Sequence, residues 1–119
     1  MALSEFEKFR VEKFANHFCQ LMNQRLTPDQ AYIDYRYYDD EQSLYLLDVH
    51  IEGKWGDPVY IHHRSMSAKF SYVEPKKRWQ LFWKRKDSQW HTYDYLPSST
   101  RFDDLFEEVM IDRYCCFWG

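Results

Sequence analysis

Residues 78–84 read Arg78-Trp79-Gln80-Leu81-Phe82-Trp83-Lys84, and this stretch decides the fold. Trp79, Leu81 and Trp83 alternate with polar, cationic or aromatic neighbours. Because successive side chains of a strand point to opposite faces, the alternation predicts a β-strand. Its indoles and leucine face a core, and its cationic neighbours face outward.

Segments on both sides of this stretch predict further strands. They are rich in β-branched or aromatic residues, alternate in polarity, and are joined by short polar turns. The predicted strands are Tyr32–Tyr38, Leu44–Ile51, a short one at Val59–His63, Ala68–Tyr72 and Trp90–Tyr95. Short turns between strands are typical of an antiparallel meander, here of four to six strands.

A helix is predicted at each end of the chain. Ser4 followed by Glu7 forms a capping-box pattern, and Pro28 ends the first helix. Thr100 with Asp103 predicts the cap of the second. The two apolar stripes, at helical spacing, are Val11, Phe14, Ala15, Phe18, Leu21 and Met22, then Phe102, Leu105, Phe106, Val109 and Met110. We therefore expect one α+β domain over residues 1–119, with both helices on one face of the sheet. We also expect the terminal Phe117 and Trp118 to dock on it.

Composition limits the classes of protein that the sequence can encode. Aromatic residues make up 20% of the 119 residues, which is enough for a large core without a disulfide or a metal. No apolar run approaches the length of a membrane span, and the charged, helix-like pattern of the first residues is not the one expected of a signal peptide. Three cysteines, two of them adjacent, do not form a disulfide framework, which favours the reducing cytoplasm.

One basic and aromatic surface is suggested by the charge pattern. Residues 62–86 carry a net charge of +7 in a chain of net charge -3. Cations beside aromatic rings are typical of single-strand nucleic-acid binding, in which bases stack on rings and phosphates meet cations. The candidate residues are Arg78, Phe82, Lys84, Arg85 and Lys86. The alternative is an ordinary solvated sheet face, which we favour at this stage because the pI is near 5.9.

Asp48 and His50 form the only candidate catalytic pair. They lie two residues apart on the same face of a predicted strand, an arrangement that can hold a metal or move a proton. The alternative is a strand histidine hydrogen-bonded to a carboxylate, and we favour that explanation because no ligand spacing supports a metal. Phosphate-binding glycine motifs are absent from the sequence. We predict no cofactor and no metal.

The second half of the chain resembles a known bacterial family. Ala68-Lys69-Phe70, residues 79–83, Trp90-His91-Thr92-Tyr93 and Phe117-Trp118-Gly119 are similar in order and spacing to domain of unknown function 3024. The resemblance is strongest over residues 66–119. It implies a bacterial cytoplasmic protein and supplies no activity, cofactor or catalytic residue.

Three functions stay open on the sequence alone. The first is a non-enzymatic binding or interaction domain of unknown partner. The second is single-strand nucleic-acid binding through the basic strand face, and the third is a small enzyme with Asp48 and His50 in a pocket. A homodimer also stays open, because an aromatic sheet face can be larger than the area that two helices cover.

Overall fold

A computed structural model describes residues 3–26, 30–53, 61–73 and 76–118. Two helices enclose a run of antiparallel strands, as the sequence predicts. The elements are α1 (Glu5–Asn23), β1 (Ala31–Tyr38), β2 (Ser43–Glu52), β3 (Ile61–Val73), β4 (Arg78–Lys84), β5 (Trp90–Thr92), β6 (Ser98–Ser99) and α2 (Phe102–Ile111). No helix among the described residues is long and apolar enough to cross a membrane.

The strands form a single six-stranded sheet. Its order is β1-β2-β3-β4-β5, and β6 also pairs with β4. The residues predicted as two strands, Val59–His63 and Ala68–Tyr72, form one long strand where they are described, because β2 pairs along its whole length from Ser43 to Glu52. Val59 and Tyr60 lie outside the described residues. β5 stops at Thr92 rather than continuing to Tyr95.

A β-bulge interrupts the pairing of β2 with β3. Leu46 lies opposite Ala68, whereas Leu47 lies opposite Met66, so Ser67 is the extra residue. An extra residue bends the strand and increases its twist. β4 pairs only with the part of β3 that follows the bulge, from Ala68 to Val73. The bulge therefore marks the point at which β3 extends past the end of β4.

The main core lies between the sheet and the two helices. Trp79 and Leu81 are buried there and Trp83 packs against it, so the predicted inward face of residues 78–84 is confirmed. Phe70 and Phe106 stack with their ring centroids 4.7 Å apart, which joins β3 to α2. Aromatic pairs of this kind stabilise a core beyond the area that they bury.

Helix α1 begins as predicted, because Ser4 Oγ accepts a hydrogen bond from the backbone N–H of Glu7 at 3.1 Å. The buried side of the helix is narrower than the predicted stripe. Val11, Ala15, Phe18 and Cys19 are buried, whereas Phe14 and Leu21 are exposed. Phe14 is nevertheless in contact with α2, since its ring centroid lies 5.4 Å from that of Phe106, whereas Leu21 at the outer edge of the stripe stays in water.

Helix α2 begins differently from the prediction. Its N-cap is Arg101, not Thr100, and no side chain caps it. Instead Ser99 Oγ donates to the Asp104 carboxylate at 3.1 Å and accepts from the Arg101 N–H. Ser99 is fixed by pairing with Trp79, so tertiary contacts select the start of this helix. Met110, predicted in the buried stripe, is exposed.

The C-terminal aromatics dock on the domain. Phe117 is buried against Tyr93, with ring centroids 5.1 Å apart, and Trp118 Nε1 donates to the Val109 carbonyl at 3.1 Å. The Asp112 carboxylate accepts from the backbone N–H groups of Phe117 and Trp118 at 3.1 and 3.0 Å. One side chain thus turns the chain back onto the core.

Candidate functional site

The outer face of the sheet is the surface that faces away from both helices. Register alignment places one row of residues across it from β1 to β5. The row is Arg36, Tyr45, Lys69, Phe82 and Thr92. From β1 to β4, cations and aromatic rings therefore alternate from one strand to the next, with neighbouring strands about 4.8 Å apart.

A second, smaller apolar cluster supports this face. Tyr45, Leu47 and Val49 of β2 are buried, and Tyr32, Met66 and Trp90 pack against them. All six residues belong to strands. Phe82 and Trp90 are only half-buried, so parts of their rings are exposed above a filled layer. The outer face is thus an ordered platform.

Two lysines lie over the aromatic rings of the platform. Lys69 Nζ is 5.6 Å from the centroid of the Tyr45 ring and 5.5 Å from that of Phe82. Lys84 Nζ is 5.5 Å from the centroid of Trp90, whose ring lies 5.8 Å from that of Tyr45. Contact between cation and ring orients each ammonium without neutralising it.

The outer face carries excess positive charge. Its strands present five cations, which are Arg36, Arg64, Lys69, Arg78 and Lys84. Asp34 is the one carboxylate among the described strand residues of this face, and the Glu41 carboxylate, from the turn before β2, contacts the Tyr45 hydroxyl. Asp34 already pairs with Arg36 at 2.7 Å. Neither Lys69 nor Lys84 forms an ion pair with any described carboxylate. A ligand with negative charge is therefore favoured here.

Tyr45 is fixed beneath this surface. Its hydroxyl donates to Glu41 Oε2 at 2.7 Å. Burial, and then this hydrogen bond to a carboxylate, raise the pKa of Tyr45 above its ordinary value. The phenol is consequently neutral at physiological pH. The hydrogen bond holds its ring in place beneath the Lys69 ammonium.

The structure brings together some of the predicted binding residues and separates others. Phe82 and Lys84 belong to the platform. Arg85 stacks its guanidinium 4.9 Å from the centroid of Trp83, and with Lys86 it lines a neighbouring cleft. Arg78 lies at the start of β4, where its Nε donates to Ser98 Oγ at 3.1 Å. The Arg78 side chain thus links β4 to β6.

Lys69 and Tyr45 complete the platform but are not among the candidates from the sequence. The sequence does contain a signal for Lys69. It stands between Ala68 and Phe70, so strand alternation places it opposite these two core residues. Its position beside Tyr45 and Phe82 depends on the register of three strands, which the alternation does not give.

Asp48 and His50 lie on the other face of β2. His50 Nε2 is 3.2 Å from Asp48 Oδ2, and the histidine side chain is 65% exposed. Asp48 reaches the edge of the cleft that Arg85 lines. No group of three metal-ligating side chains occurs among the described residues. Catalysis by this pair stays a prediction.

Apolar side chains also remain exposed on the helices. Phe6 and Phe9 of α1 are largely in water, and a cavity of about 270 Å³ lies between Phe14 and Met110. Such a patch is the kind of surface that a second copy of the chain can cover. The homodimer stays a prediction.

A family model, Domain of unknown function (DUF3024), matches residues 3–119. The chain belongs to this family. The match extends the resemblance seen over residues 66–119 to nearly the whole chain, so the first helix and both early strands are part of the family's domain. Neither a curated protein nor a solved structure matches the chain.

Proposed function

We propose that this DUF3024 protein is a non-enzymatic binding domain whose ligand is single-stranded nucleic acid. The observation that carries the proposal is the row of Tyr45, Lys69 and Phe82 across three neighbouring strands. It alternates a ring, a cation and a ring on a sheet face that neither helix contacts.

This arrangement matches the chemistry of an unpaired strand. Bases stack on exposed aromatic rings whatever their sequence, and phosphates meet cations beside those rings. Phe82 and Trp90 offer the partly exposed rings, and Lys69 and Lys84 offer the charges. A duplex hides the faces of its bases, so the platform selects single strands.

The alternative of an ordinary solvated face accounts less well for the outer cluster. Lysines that merely keep a sheet soluble extend into water. Lys69 is instead half-buried, with its ammonium held over two rings and without a described carboxylate partner. We also propose a reducing compartment such as the bacterial cytoplasm, a setting supported by three free cysteines, of which Cys115 and Cys116 are adjacent yet unbridged.

The test is binding of a fluorescent single-stranded oligonucleotide, followed by anisotropy at low salt. Phe82→Ala removes a stacking surface, which is worth about 1–3 kcal/mol per base, so affinity falls roughly 5- to 150-fold. Lys84→Glu reverses a charge on the platform and weakens binding most at low salt. A duplex of the same sequence binds more weakly than the single strand.

Two matched controls lie on α1, on the opposite side of the sheet. Phe9→Ala removes an exposed phenylalanine and Lys13→Glu reverses an exposed lysine. Both leave the affinity unchanged, and near-ultraviolet circular dichroism reports whether each variant is folded. Absence of binding at low salt, or equal losses in the platform and control variants, would show that the proposal is wrong.

A further inference from the structure

A polar cleft opens where β4 ends beside the bulge of β3. Its volume is about 430 Å³, within the size range of sites for small ligands. One wall is the bulge segment Ser65–Ser67, and another is the turn between β4 and β5. Cys116 and Phe117, from the docked C-terminal segment, form the third wall.

The cleft exists because the strands differ in length. β3 begins at Ile61, but β4 pairs with it only from Ala68 onward. The turn after β4 closes on itself, with the Arg85 N–H donating to the Gln89 carbonyl at 3.2 Å. Among the described residues no strand continues β4 alongside the first part of β3, so the space beside the bulge stays open.

The lining has the chemistry of an anion site. Three successive cationic residues, Lys84, Arg85 and Lys86, line the cleft together with three serines, Ser65, Ser67 and Ser88. The Lys84 ammonium lies over Trp90 and the Arg85 guanidinium over Trp83, which leaves Lys86 as the cation without a described ring contact. Lys86 is exposed and forms no ion pair with a described residue. Hydroxyl groups together with lysine and arginine are the side chains that bind phosphate oxygens.

The cleft is also lined by one carboxylate. Asp48 is the single acidic residue among the described residues that line the cleft. His50 lies 3.2 Å from its carboxylate and orients it. A carboxylate repels phosphate but accepts hydrogen bonds from sugar hydroxyls, as acidic residues do in nucleotide sites. The lining thus suits a ligand that carries both a phosphate and a sugar.

We propose that the cleft binds the terminal phosphate monoester of a nucleic-acid strand, with the adjoining sugar hydroxyl on Asp48. This inference rests on the proposed function, because Lys84 borders both the platform and the cleft. A strand on the platform reaches the cleft by passing the end of β4, because Asp48 and Ser65 lie on the other face of the sheet. A free nucleoside monophosphate carries the same two groups and is the other source of this ligand chemistry.

The experiment compares one short oligoribonucleotide in three forms, with a 5′-phosphate, with a 3′-phosphate or with neither. A terminal phosphate carries close to two negative charges at neutral pH. Non-specific electrostatic attraction raises the affinity equally for the 5′- and the 3′-phosphorylated forms. Binding of the phosphate in the cleft instead raises the affinity roughly tenfold for only one of the two forms. Lys86→Gln removes that gain. Lys76→Gln, an exposed lysine in the turn at the opposite end of β4, retains it.

Equal affinities for the 5′- and 3′-phosphorylated forms, or a gain that survives Lys86→Gln, would overturn the inference. Its failure and that of the proposed function are distinguishable. If no form of the oligonucleotide binds, a nucleoside monophosphate is titrated while amide NMR signals of Ser65–Ser67 are followed. If the nucleoside monophosphate shifts these signals and the unphosphorylated nucleoside does not, the cleft proposal is supported and only the platform proposal is refuted. If neither compound shifts the signals, both proposals are refuted.

Discussion

Docking of the C-terminal aromatics makes a prediction about stability that can be worked out from the structure. Phe117 is 7% exposed, so nearly all of its side chain is removed from water. Its ring packs against Tyr93, which is itself buried. Truncating a buried phenylalanine to alanine costs about 3–5 kcal/mol, and the lower end applies where the surroundings can relax. Because Trp118 beside it is only partly buried, we expect Phe117→Ala to cost about 3 kcal/mol.

Equilibrium unfolding in urea measures this loss. For a domain of this size an m value near 1.5 kcal/mol/M is ordinary, so the midpoint falls by about 2 M. The control is Ile111→Ala at the end of α2, where the side chain is 49% exposed and the cost stays within about 1 kcal/mol. A loss below about 1 kcal/mol for Phe117→Ala, at unchanged m value, would refute the docking of this segment.

Two further predictions concern pH and salt. Burial, and then a hydrogen bond from its hydroxyl to Glu108 Oε1 at 2.8 Å, raise the pKa of Tyr93 above its ordinary value of 10.0. The neutral phenol therefore contributes stability below about pH 10 that is lost as pH rises further. When the free energy of unfolding in urea is measured between pH 8 and 11, it declines less steeply above pH 10 for Tyr93→Phe than for the parent protein. An identical decline of the free energy of unfolding in the two proteins would contradict this. For oligonucleotide binding, phosphate contacts by Lys69, Lys84, Arg85 and Lys86 of the platform and cleft give a slope of log affinity against log salt concentration of about -2.8. Binding is therefore about 50-fold weaker at 200 mM than at 50 mM salt. Lys69→Gln brings the slope to about -2.1 while Lys13→Gln leaves it unchanged, and equal slopes would exclude phosphate contact at Lys69.

The sequence by itself determined the two helices, the antiparallel strands that follow the first helix, and the inward face of residues 78–84. Strand alternation needs no partner, because a tetrahedral Cα sends successive side chains to opposite sides of any extended chain. Trp79, Leu81 and Lys84 could therefore be assigned to faces from residues 78–84 alone. The cap at Ser4 was equally local, because its hydrogen bond spans three residues.

Only the tertiary structure decided which residues meet across strands. The register that puts Lys69 between Tyr45 and Phe82 depends on the bulge at Ser67 and on packing over both faces. A shift of one residue would exchange the two faces without changing any local pattern. The cleft has the same origin, since it results from the unequal lengths of β3 and β4 and from the docked C-terminal segment. Long-range contacts of this kind are a property of the folded chain as a whole, and no short stretch of sequence contains them.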